Sequence, residues 1–136
     1  MLRTETRARA RALQLLYTWE TRGRPALEAL IPGLARLTGP EPVVLDAAEE
    51  LAAGVIRGVA SLDRQIEAAI EHWRLDRLGL SERLVLRIGA YELQHGVPPK
   101  VAIDEALWLA RRFADEDAVP FVNGVLDRLA REQGLL

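Results

Sequence analysis

With 136 residues, 49% of them hydrophobic and 28% charged, the chain is long enough to bury one core and too apolar to stay disordered. It has no cysteine, which excludes disulfides, thiolate nucleophiles and thiolate zinc sites, and its net charge of −2 gives no global attraction for polyanions. The longest uncharged run, Ala118 to Leu126, is too short to cross a bilayer and the N-terminus carries no signal-peptide pattern, so one cytoplasmic domain is expected.

Helical periodicity recurs along the chain and no alternating β-branched stretch makes a strand, so the fold is expected to be all-α, with about six to seven helices. The first helix runs from about Thr4 to Trp19, burying Ala8, Ala12, Leu13, Leu15 and Leu16, and Gly23 and Pro25 stop it. A short helix over 26–37 is kinked or broken near Pro32-Gly33, and Thr38-Gly-Pro-Glu-Pro42 is a loop. Val43 to about Trp73 reads as the longest helix, striped by Leu51, Val55, Val59, Leu62, Ile66 and Ile70. After a turn over 75–80, Ser81 is the expected N-cap of a helix through Gln94 that is apolar around almost its whole circumference and therefore central. Pro99 opens a helix to Phe113 with Ile103, Ala106, Leu107, Ala110 and Phe113 turned inward. The last helix starts under an Asp115 or Asp117 cap, tolerates Pro120 in its first turn and ends near Gly134. These elements group as two three-helix halves, 1–72 and 73–136, of a single domain.

Charge is unevenly spread. Residues 1–24 carry a net +4 and residues 41–50 a net −4, the asymmetry that accompanies polyanion binding at one end. Arg3, Arg7, Arg11, Gln14 and Thr18 fall within about 80° of one another on an ideal helix, opposite the leucines, with Tyr17 at the border. Arginines four apart repel, so this ladder either gains from an anion alongside, with a base stacked on Tyr17, or is a solvated face. Arg9 points to the apolar side, where its stem can snorkel.

In the last helix Asn123-Gly124 interrupts the apolar rhythm of positions 121, 122, 125, 126 and 129, at a cost on the order of 1.5 kcal/mol relative to alanine. Either Gly124 admits a neighbouring helix while Asn123 satisfies backbone, or Asn123 is a contact residue. Arg83 and Arg87 stand in the most apolar helix; at least one is expected to be buried against Asp104, Glu105 or Glu92, leaving Glu82 for the surface. Trp108 falls on the polar side of its helix, as a cation–π partner of Arg112 or as the anchor for a protein partner. Asp115-Glu116-Asp117 suits a helix start better than a metal, and Gly54 and Gly58 are spaced for close helix crossing. No nucleophile motif surrounds Ser61 or Ser81, the only serines, so catalysis, cofactor and metal are all unexpected.

Five blocks occur in a telling order: Ala8-Arg-Ala-Arg-Ala-Leu-Gln-Leu-Leu-Tyr17, Trp73 with Arg77-Leu78, Glu82-Arg-Leu-Val-Leu-Arg-Ile-Gly-Ala-Tyr-Glu-Leu93, Val97-Pro-Pro-Lys-Val-Ala-Ile-Asp-Glu-Ala106, and Phe121-Val-Asn-Gly-Val-Leu-Asp127. Together they closely resemble the NusB family of bacterial transcription antitermination factors over nearly the whole chain. The resemblance implies two three-helix bundles and a non-enzymatic protein that binds single-stranded boxA RNA with a small-subunit ribosomal protein, NusE. Such a complex joins other Nus factors at RNA polymerase and supports rRNA synthesis. The resemblance also implies RNA contacts for Arg7, Arg9, Gln14 and Tyr17, and for Phe113, Asp117, Phe121 and Asn123, and it puts Glu82 and Arg87 near the ribosomal-protein contact. Glu5-Thr6, Ala10 and Pro120 depart from the family's arginines, acidic residue and basic residue, which moves the expected phosphate contacts toward Arg3 and Arg11. Two alternatives stay open: an RNA-binding domain detached from an rRNA methyltransferase, and a helical protein that self-associates through Trp108 without meeting RNA. Monomer and homodimer are equally compatible with the residues.

Overall fold

The computed structural model describes residues 2–70 and 75–136, and its helix boundaries follow from the breakers in the sequence. Helix α1 (Thr4–Thr21) ends where Gly23 (φ 79°) and Arg24 (φ 62°) enter the left-handed region ahead of Pro25. Glycine does this freely, whereas a side-chain-bearing residue gives up about 1–2 kcal/mol there. Arg24 is held in place as its N–H donates to the Trp19 carbonyl at 2.8 Å, its guanidinium pairs with Glu20, and it lies 4.6 Å above the Trp19 ring.

A 3-10 turn (Leu27–Ala29) and α2 (Ile31–Thr38) replace the expected short helix. The break falls at Leu30, so Pro32 stands in the first turn of α2, where its missing N–H leaves nothing unsatisfied. The long helix expected from Val43 to Trp73 is two helices, α3 (Pro42–Arg57) and α4 (Val59–Ala69), split at Gly58 with φ −111° and ψ 17°. Apolar spacing continues across the split, so periodicity alone reads one rod; glycine's poor helix propensity supplies the bend. A Cβ at Gly58 would meet nothing within 4 Å, which overturns its reading as a helix-crossing point. His72 and Trp73 lie outside the described residues.

The remaining helices are α5 (Leu80–Gln94), α6 (Pro99–Phe113) and α7 (Ala118–Glu132). Gly79, not Ser81, is the N-cap of α5, and it makes no side-chain capping bond. Ahead of α7, Asp115 Oδ1 accepts the Ala118 N–H at 3.0 Å, while Asp117 at the N-cap position makes no such bond. Seven α-helices and no strand among the described residues bear out the all-α expectation.

Met1–Arg57 and Gly58–Leu136 form two compact units, so α4 belongs with the second. In the first unit α1 and α3 lie side by side with their N-termini at one end: Arg7 meets Glu41 there, and Trp19 and Arg57 share a groove at the other end. Small residues on α3, Ala48 and Ala52, are fully buried between Val44 and Val55, and α1 turns Ala12, Leu13 and Leu16 into the same core. In the second unit α4, α6 and α7 all pack on α5, whose Leu84, Val85, Leu86, Ile88 and Ala90 are at most 1% exposed. Each such leucine adds about 1.5–3 kcal/mol of burial. Packing is close at Gly89, where a Cβ would sit 2.6 Å from Leu126 Cδ1 of α7.

Candidate nucleic-acid interface

The helical repeat sets Arg3, Arg7, Arg11, Gln14 and Tyr17 along one edge of α1, exposed or half-buried, while Leu13 and Leu16 face the core. Arg11 Nη1 donates to Gln14 Oε1 at 3.2 Å and the Thr18 hydroxyl donates to the Gln14 carbonyl at 3.1 Å, which orders the middle of this edge. Tyr17 is 46% exposed and offers a ring face on which an unpaired base can stack. Arg7 is engaged by a residue that sequence analysis did not single out: its Nη2 pairs with the Glu41 carboxylate from the loop between α2 and α3. With both side chains substantially solvated, the pair stabilises the fold by roughly 0–1 kcal/mol.

Arg9 departs from its neighbours. It is only 8% exposed and already engaged in a polar interaction, on the apolar side of α1 where its helical phase puts it. From there it meets a ligand only by leaving that interaction.

A second surface lies at the α6–α7 junction of the second unit. Phe113 closes α6 half-buried, and Asp117 is exposed. At about 100° per residue, Val122, Val125, Leu126 and Leu129 fill the buried arc of α7, and its exposed arc runs from Asn123 through Gly124 to the half-buried Phe121. A Cβ on Gly124 would meet nothing within 4 Å, so the reading of Gly124 as a packing residue is corrected. Gly89 does admit a neighbouring helix, since a Cβ there would sit 2.6 Å from Leu126 Cδ1. Asn123 is exposed and makes no side-chain hydrogen bond among the described residues, so it satisfies no backbone group there. Along the same side of α7, Arg131 Nε donates to Asp127 at 2.8 Å, and the Asp127 hydrogen bond, then its charge, hold that guanidinium above the ordinary arginine range.

The residues expected at a protein contact are distributed differently. Glu82 is half-buried in the first turn of α5. Arg87 is 2% exposed and donates from Nε and Nη2 to the two oxygens of Asp63 at 2.8 and 2.9 Å. One arginine of this helix is thus buried as expected, and Asp63 of α4, a residue absent from the sequence-based candidates, clamps it. Arg83 Nε is buried with no hydrogen-bond partner among the described residues. Trp108 is half-buried rather than exposed, and among the described residues the ring contact expected with Arg112 is not formed, whereas Arg24 stacks on Trp19.

A sequence profile described as the NusB family matches residues 6–131, from early α1 to the last turn of α7. The chain belongs to the NusB family. The transcription antitermination protein NusB of Solibacter usitatus (strain Ellin6076) is 43% identical over 132 residues, covering 93% of this chain and 88% of that one. Among solved structures, T. maritima NusB matches with a TM-score of 0.84 at 32% identity, covering 97% of this chain and 94% of the other. A chain in the crystal structure of antitermination factors NusB and NusE in complex with dsRNA matches with a TM-score of 0.85 at 30% identity, covering 97% and 99%. The family placement drawn from the five sequence blocks is borne out.

Proposed function

We propose that this NusB chain is a transcription antitermination factor that holds single-stranded boxA RNA together with the small-subunit ribosomal protein NusE, and joins other Nus factors at RNA polymerase to support rRNA synthesis. One observation carries the RNA reading: Arg3, Arg7, Arg11 and Gln14 share one edge of α1 with the exposed ring of Tyr17. Guanidinium groups at that spacing suit a phosphate backbone, and phosphate contacts position a strand without reading its sequence. The ring needs a base that is not already stacked in a duplex, which favours a single strand even though the solved NusB and NusE relative holds dsRNA.

Within this reading Arg9 positions the α1 edge from its buried side. Phe113, Asp117, Phe121 and Asn123 form a second RNA-contacting surface, with Asn123 offering an open amide and Phe121 an aromatic rim. Glu82 and Trp108 are assigned to the ribosomal protein, and Arg87 supports that region from inside α5. The chain acts by assembling partners rather than by catalysis, in the cytoplasm; among the described residues no helix is long and apolar enough to cross a membrane. Relatives matched over most of their own length are named transcription antitermination proteins, which favours this reading over a methyltransferase fragment.

The test is binding of labelled boxA RNA and a scrambled control, each with and without the ribosomal protein, over a range of salt. Preference for boxA, strengthened by the partner, is expected, and Arg7→Ala and Arg11→Ala should weaken binding and flatten its salt dependence. Equal affinity for both RNAs with and without the partner rejects the function.

A further inference from the structure

Glu41 is held by its backbone in a fixed place. Its N–H donates to the Gly39 carbonyl at 3.1 Å and its own carbonyl accepts the Leu45 N–H at 2.9 Å, so it is tied both to the turn at Gly39 (φ 95°) and to the first turn of α3. From there its carboxylate reaches Arg7, the middle rung of the Arg3, Arg7, Arg11 ladder on α1. The opposite charges of residues 1–24 and 41–50 therefore meet inside the first unit at this pair.

We propose that Glu41 is an internal competitor for RNA phosphate at Arg7, a residue that sets the strength of the phosphate contact. This rests on the RNA reading given above. Carboxylate and phosphate oxygens present the same kind of acceptor to a guanidinium, so a phosphate takes Arg7 only as the carboxylate leaves. An exposed pair adds little to folding stability, and its consequence falls on binding instead. Because a phosphate contact carries no sequence information, the competition lowers affinity for every strand alike. Strands that also engage Tyr17 and the partner protein remain bound, and strands attracted by charge alone are released.

The experiment compares wild type, Glu41→Gln, Arg7→Ala and the double variant on boxA and scrambled RNA, with the ribosomal protein present, across a salt range. Glu41→Gln is expected to tighten both RNAs by roughly twofold to fivefold at low salt. Its log–log salt dependence should stay parallel to that of wild type, since Arg7 neutralises one phosphate in both complexes and Glu41 changes only the cost of freeing it. In the Arg7→Ala background the gain should vanish. Glu41→Ala, at the same solvated position, should repeat the gain with an unchanged melting temperature. Unchanged or weaker binding by Glu41→Gln, while Arg7→Ala still weakens it, overturns the proposal and leaves the RNA reading standing. A gain that survives in the Arg7→Ala background is an effect of net charge and overturns it as well. Arg7→Ala without effect on either RNA removes the α1 contact itself, and the proposal with it.

Discussion

Arg87 of α5 grips both carboxylate oxygens of Asp63 on α4, at 2.8 and 2.9 Å, with its own side chain 3% exposed and that of Asp63 24% exposed. Two parallel N–H···O bonds make this a geometrically specific clamp between the two helices. Burying a guanidinium costs several kcal/mol, and the cost is offset only while an anion answers it. Asp63→Ala should therefore destabilise the fold by about 3 kcal/mol. Adding Arg87→Met should recover most of that loss, since the buried charge then goes with its partner. Urea denaturation of the two single variants and the double variant measures the coupling. If Asp63→Ala loses less than about 1 kcal/mol, the clamp is not what compensates Arg87.

Gly89 of α5 faces Leu126 of α7 with room for a hydrogen and not for a methyl group. Gly89→Ala would gain helix propensity of up to about 1 kcal/mol yet force Leu126 out of its place. Leu126 is fully buried, so it can yield only into packed surroundings of the core. Overpacking of this kind costs about 1–3 kcal/mol, so the net effect should be destabilising. Pairing Gly89→Ala with Leu126→Ala should cost less than the two single losses added together, and simple additivity in that cycle would contradict the steric account.

Helix α6 was legible to the residue, because Pro99 can open a helix and the apolar spacing to Phe113 is clean. The α3–α4 split was not, since the stripe runs on through Gly58 and only the backbone bends. The α1 edge was readable from charge at helical spacing, but its Arg7–Glu41 pair joins positions 34 apart through a loop. Opposite charge in the two segments was visible, and it pointed toward an outside anion rather than toward the other segment. Asp63 was hidden for the same reason, 24 residues from Arg87 with no local pattern between them. Asn123-Gly124 announced that α7 breaks a local rule, but propensity cannot tell whether the vacated space faces another helix or solvent. That depends on the helix's rotation in the fold.

Gly124 tests what the vacated space is for. It is exposed, sits in the helix without a positive φ, and has open space where a Cβ would be. Gly124→Ala should then stabilise the free protein by about 0.5–1 kcal/mol through helix propensity alone. If the exposed arc of α7 receives RNA at close range, the added methyl group should weaken RNA binding in the same variant. Melting temperature and affinity would thus move in opposite senses. A lower melting temperature would mean that Gly124 is needed for packing after all.

Tyr17 separates stacking from charge on the α1 edge. Its ring is 46% exposed, so Tyr17→Ala should leave the fold nearly as stable as before. Loss of a stacked base costs about 1–3 kcal/mol of binding, whereas Tyr17→Phe keeps the ring and should bind almost as wild type does. Because no charge changes, the salt dependence should stay parallel to wild type while the affinity drops, unlike the flattened dependence expected of Arg7→Ala. A tyrosine that merely edges the core predicts a different pattern, with RNA affinity untouched in both variants. The decisive comparison is Tyr17→Ala against Tyr17→Phe across salt: a drop confined to alanine, with a constant slope, assigns the ring to a base.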